Sequence, residues 1–188
     1  SDLEAKGRMS MSAIPAPELG YTFGNGGTVS GKAQLLGAML HTGNASNYRK
    51  LLLGREGWGS LNEDGTLNDT RWKKFIERME AEGYLNKTDY DFIQAVFDMN
   101  NEIKPLIQKA HFDLYGYYFK EIEPTPMITQ FGEYRGGYFP AKGDPVMTKA
   151  IETRVELQDL DKEFRNSLPT TGNKFTISRT EKNRPLSI

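Results

Sequence analysis

The 188-residue chain contains no cysteine. Disulfides, thiolate nucleophiles and thiolate-bound zinc are therefore excluded. Histidine is almost as scarce, with only His41 and His111, so any metal would need a carboxylate cage; no metal and no cofactor are expected. No apolar run approaches the ~20 residues of a membrane helix, and the N-terminus lacks the basic-then-apolar layout of a signal peptide. An excess of either charge is missing too. With 24 basic residues against 25 acidic ones, there is no global basic field to attract nucleic acid. The G-x-S-x-G elbow of one hydrolase class is also absent.

What remains is 37% hydrophobic and 26% charged, with a mean hydropathy of −0.61. That is enough for one domain with a core, plus tails. The most distinctive stretch is 132–145, which holds Gly132, Gly136, Gly137 and Gly143, Pro140 and Pro145, and the rings of Tyr134, Tyr138 and Phe139. Glycine and proline shape a backbone, whereas a flexible linker would be Gly/Ser-rich and without rings. We read Gly136, Gly137, Tyr138, Phe139 and Pro140 as a structural loop that pins helices, with a groove beside it as the contact surface.

Periodicity places helices on both sides. Leu35, Leu36, Met39 and Leu40 share one face of a helix capped by Thr28 or Ser30 and stopped at Thr42-Gly43-Asn44. A short helix follows from Ser46 through Leu51 and Leu52 to Gly54. Asn62-Glu63-Asp64-Gly65 marks a hairpin turn between Ser60-Leu61 and Thr66-Leu67. Trp72, Phe75, Ile76 and Met79 form the stripe of a helix over 70–82. Thr88 and Asp91 resemble a capping box and open the longest element, with Tyr90, Ile93, Val96, Phe97, Ile103, Leu106, Ile107, Ala110 and Leu114 in helical phase. Pro105 should kink or split it, and Asn100 needs a partner if it is buried. Residues 115–126 look extended. Asp144 and Pro145 start another helix, with Met147, Ala150, Ile151 and Val155 on one face and Leu157, Leu160 and Phe164 on another. Residues 174–179 alternate like a short strand.

The expected fold is mainly α: a helical domain with a few short β-strands and an ordered glycine–aromatic loop. The expected division is an extended arm or linker at 1–27, the helical domain at 28–168, and a C-terminal strand or tail at 169–188.

Four stretches offer chemistry. Gly26, Gly31 and Lys32 match a phosphate-binding loop, but Ala33 stands where a magnesium-holding hydroxyl belongs and no buried strand precedes it. A helix N-terminus with glycines before it is the better reading. The acidic turn at 62–69 lacks the ligand register of a calcium loop. Glu121, Glu123 and Glu133 could form a carboxylate pair only if the fold drew them together. Lys174, Arg179, Lys182 and Arg184 in the tail are candidate phosphate contacts, although a solvated charged end explains them more simply. No catalytic residue is assigned.

Two stretches together resemble a known family. They are Leu35-Leu36-Gly37-Ala38-Met39-Leu40-His41-Thr42-Gly43-Asn44-Ala45-Ser46-Asn47 and the following Arg49-Lys50-Leu51-Leu52. Similar segments occur in large bacteriophage polyvalent and internal virion proteins, followed in the same order by counterparts of Asp89-Tyr90-Asp91-Phe92, of Gly136-Gly137-Tyr138-Phe139-Pro140 and of Asn183-Arg184-Pro185-Leu186. The resemblance spans about residues 30–188. It implies a module of a multi-domain virion protein, delivered into a bacterial host and linked to genome ejection or protection. Its partners would be other virion proteins or other domains of the parent chain, with DNA contact a further candidate. An excised piece of that kind would also explain a first residue, Ser1, that is not methionine. The alternative is a fragment of an enzyme acting on nucleic acid or peptidoglycan.

Overall fold

The computed structural model describes residues 13–20, 28–29, 31–55 and 57–141. The helix expected after Asp144, the strand expected at 174–179 and the candidate contacts Lys174, Arg179, Lys182 and Arg184 lie outside the described residues. So do Gly26, Gly27 and Ser30.

Four α-helices dominate: α1 (Lys32–Leu40), α2 (Ala45–Leu53), α3 (Thr70–Ala81) and α4 (Lys87–Tyr115). Three two-stranded antiparallel ribbons trim them: β1 (Ile14–Pro15) with β2 (Thr28–Val29), β3 (Ser60–Leu61) with β4 (Leu67–Asn68), and β5 (Met127–Thr129) with β6 (Gly132–Tyr134). The protein is mainly helical, and the strands among the described residues are few and short. None of the described helices is long and apolar enough to cross a membrane.

The caps explain where the helices begin. Asn44 caps α2, its side chain accepting from the Asn47 N–H at 2.9 Å, an arrangement worth about 1 kcal/mol. The capping box of α4 lies two residues earlier than Thr88: Asn86 accepts from the Asp89 N–H, and Asp89 accepts from the Asn86 N–H at 2.9 Å. α1 has Gly31 at its cap position and no side-chain cap. α4 runs unbroken through Pro105.

The core gathers the inward faces of all four helices. Leu35, Leu36, Leu51, Leu52, Phe75, Met79, Ile93 and Phe97 are buried in it, each worth roughly 1.5–3 kcal/mol of transfer free energy. Trp58 stacks on Trp72 at 5.2 Å, and Trp72 leans on Phe75 at 5.7 Å. Ile14, Ala16 and Leu19 add the N-terminal segment to this core. That segment is tied to α3 by Arg78, whose guanidinium donates to both oxygens of Glu18, and this bond holds the Glu18 carboxyl below its usual pKa.

Sequence periodicity merges two faces of α4 into one. Tyr90, Ile93 and Phe97 are buried. Met99, Ile103, Leu106, Ile107 and Leu114 are 43–76% exposed. Nine residues separate Phe97 from Leu106, and nine steps of about 100° bring the chain to the opposite side of the helix.

Candidate interaction site

The knot around residues 136–139 starts from close backbone approach. Gly136 has φ 75°, and a Cβ there would lie 2.1 Å from the Thr125 carbonyl oxygen. A Cβ on Gly43 would meet the Phe97 ring at 2.4 Å and the Gly137 backbone at 2.7 Å. Only glycine admits this packing. The Gly43 carbonyl then accepts two N–H groups, from Thr125 at 2.8 Å and Gly137 at 2.9 Å, which uses both of its lone pairs.

Four side-chain amides read the backbone of the loop. Asn44 donates to the Gly137 carbonyl at 3.3 Å and Asn47 to that of Phe139 at 2.7 Å. Asn100 donates to the Tyr138 carbonyl at 3.0 Å, the partner its position on α4 demanded. Gln94 uses both ends of its amide, accepting from Gly136 N–H at 3.1 Å and donating to Gly136 C=O at 3.2 Å. The Gly-Asn-x-x-Asn run at 43–47, the helix after Asp89 and the Gly-Gly-Tyr-Phe-Pro loop therefore meet at one place.

The rings divide their work. Tyr134 stacks on Tyr90 at 5.4 Å, and Phe139 meets the buried His41 edge-on at 5.4 Å. Tyr138 is 43% exposed. The Tyr90 hydroxyl donates to Glu80 at 2.6 Å. Burial first, then Glu80, pushes its pKa far above the ordinary phenol value, so it stays protonated at neutral pH.

Beside the loop lies a groove of about 680 Å³, walled by α4, residues 119–124 and residues 135–140. Its charged groups alternate in sign. Lys104 pairs with Glu121 at 2.8 Å, and Arg135 with Asp98 at 2.8 Å; Lys120 and Glu123 complete the set. The cavity is neither acidic nor basic as a whole. Glu121 and Glu123 line it, but Glu133 sits on β6 and is not part of its wall. The three glutamates therefore do not converge. Among the described residues no group of three His, Asp or Glu is placed to hold a metal ion.

The lysine of the apparent phosphate loop has another role. Lys32 is 2% exposed and its Nζ lies 2.8 Å from Asp89 Oδ2. A cation at a helix N-terminus opposes the helix dipole, and the Asp89 carboxylate offsets it. Burial in this ion pair takes Lys32 away from any phosphate. The acidic turn closes on itself, with Asp64 accepting from the Thr66 N–H at 2.9 Å and from the Thr66 hydroxyl. His111 packs among Tyr115, Tyr117 and Phe119, beside a 2.8 Å contact from its Nδ1 to the Tyr117 carbonyl.

Sequence reasoning found the loop and Asn100 but missed Gln94, Asn44, Asn47 and the Lys32–Asp89 pair. The available signal was a polar side chain at a core-facing helical position, which must find a partner when buried. No protein-family model matches the chain, and no curated protein or solved structure matches it either.

Proposed function

We propose that this chain is a non-catalytic interaction module whose docking element is the distal half of α4. The observation that carries this reading is the solvent-facing stripe of Met99, Ile103, Leu106, Ile107 and Leu114, 43–76% exposed. These positions recur at i, i+4, i+7, i+8 and i+15. That is a face about 100° wide, the kind an amphipathic helix buries against a partner. The sequence resemblance supplies the setting: a large phage virion-associated protein, active in genome ejection or protection. The partner is another domain of that protein or another virion protein. The enzyme-fragment reading draws no support from the groove, where Glu121 is tied up by Lys104.

Deuterium exchange along 99–115, in this chain alone and within the polypeptide its native gene encodes, tests the reading. Protection should rise at least ten-fold in the native polypeptide. Leu106→Glu with Leu114→Glu should abolish that rise while leaving the melting temperature of the isolated chain unchanged. Equal exchange in both contexts would remove the basis for the proposal.

A further inference from the structure

Helix α4 uses one device twice. Gln94 grips Gly136 through both ends of its amide. Gln108 grips Phe119 in the same way, accepting from its N–H at 3.0 Å and donating to its C=O at 2.9 Å. A primary amide offers donor and acceptor side by side, so it can pair with one residue of an extended chain as a neighbouring strand would. Midway between the two glutamines, seven residues from each, stands Asn101. Seven residues are within about 20° of two full turns, which puts all three amides along one face. Asn101 is exposed, lines the groove, and has no hydrogen-bond partner among the described residues.

The wall opposite carries matching backbone groups. Residues 120–123 run outside any ribbon, and the peptide groups of Ile122 and Glu123 have no hydrogen-bond partner among the described residues. Ile107, Phe119 and Ile122 supply apolar surface between these two sets of polar groups. Sequence-independent backbone bonding combined with small apolar contacts is the chemistry of strand addition.

We propose that the groove receives an extended polypeptide strand, gripped by Asn101 and paired along 120–123, and that its occupant is the chain's own segment 174–179. This rests on the interaction reading above but concerns the neighbouring face of α4, with Ile107 on the edge the two share. The described chain leaves at Ala141, next to the groove-lining Pro140. Among the residues C-terminal to Ala141, 174–179 alternates as a strand should, with Phe175 and Ile177 on one side and the cations Lys174 and Arg179 at its ends. Glu123, on the groove wall, has no ion-pair partner among the described residues to compete with them. The 32 residues between Ala141 and Lys174 reach about 30 Å even as a random coil. Tethering on that scale holds the segment near the groove at roughly millimolar effective concentration. Because the groove's charges are balanced and largely paired, a phosphate backbone is the poorer guest.

The cysteine-free chain permits a direct test in its full length. Ile122→Cys with Ile177→Cys, under mild oxidation, should form an intramolecular disulfide at least ten-fold faster than a Glu63→Cys, Ile177→Cys control. Adding Asn101→Ala should bring the rate down toward the control. Ile122 is 39% exposed, and a melting curve on the single variant checks that folding is intact. Independently, Asn101→Ala alone should speed amide exchange at Ile122 and Glu123 several-fold. Equal crosslinking rates for pair and control would overturn the proposal while leaving the Leu106 and Leu114 stripe untouched. A disulfide joining two chains would overturn the assignment to the chain's own tail and make a second copy the occupant.

Discussion

Phe97 and Leu106 stand nine residues apart on one unbroken helix, and their fates are opposite. Phe97 is 1% exposed, pressed against Gly43 and Gly137, whereas Leu106 is 72% exposed. Both are apolar and both fit a helical repeat. What separates them is company. Around Phe97 the chain returns three times, as α1, the 43–47 turn and the 136–139 loop, and each return brings hydrogen bonds as well as apolar surface. Around Leu106, among the described residues, only the 117–124 stretch returns, along another side of the helix. Apolar periodicity shows that a helix has a face to bury, but burial depends on whether a second segment is pre-shaped to meet it.

The harshest way to break this contrast is to remove the charge that anchors the proximal half. Lys32→Met leaves Asp89 without its cation while keeping most of the side-chain volume. Losing one partner of a buried pair costs about 3–5 kcal/mol. Urea unfolding should show this loss, and adding Asp89→Asn should recover part of it, since asparagine keeps the hydrogen-bonding shape of the cap. A loss under 1 kcal/mol would mean that apolar packing alone holds α1 to α4.

Next in size is Gly136→Ala. The new Cβ would press on the Thr125 carbonyl oxygen from a left-handed backbone, and strain of this kind costs about 1–3 kcal/mol. Gly137→Ala should cost somewhat less: its Cβ would also meet a fixed atom, Phe97 Cβ at 2.4 Å, but Gly137 has no left-handed φ to strain. Arg135→Ala next door should stay within about 0.5 kcal/mol, as exposed surface changes usually do. Melting curves of the three variants would give the order, and reversal of the first two would mean the loop moves more easily than the core.

Much of this architecture was legible. The hairpin turn at 62–65, the α3 stripe and the long helix follow from local pattern, because each depends on neighbours within a few residues. The glycine-rich stretch announced a shaped loop for the same reason. The partners of that loop were not legible. Asn44, Asn47 and Gln94 reach it across 42 to 93 positions of sequence, and no local rule joins an amide on a helix to a carbonyl so far away. Lys32 was masked by a false motif, since its residue type suits phosphate as well as it suits Asp89. The split of α4 into two faces was available all along. Counting nine residues from Phe97 to Leu106 suffices, but only if the two are not first merged into one stripe.

The smallest effect is also the sharpest comparison, because Gln94 and Gln108 perform the same chemistry in the two halves. Gln94→Ala removes both bonds to Gly136 inside the knot, where the freed peptide groups are shielded from water. Unsatisfied groups there cost about 1–3 kcal/mol, and global stability should fall by an amount near the lower end of that range. Gln108→Ala removes both bonds to Phe119, but the surrounding chain at 117–123 is mostly exposed. Water can take over the freed groups, and the segment can lift without disturbing Phe97 or Ile93. Global stability should therefore change by less than about 0.5 kcal/mol, while amide exchange at Phe119 accelerates ten-fold or more, as expected where opening is local. If both variants lost equal global stability, the distal half would be as cooperative as the proximal one, and the difference between Phe97 and Leu106 would be one of exposure alone.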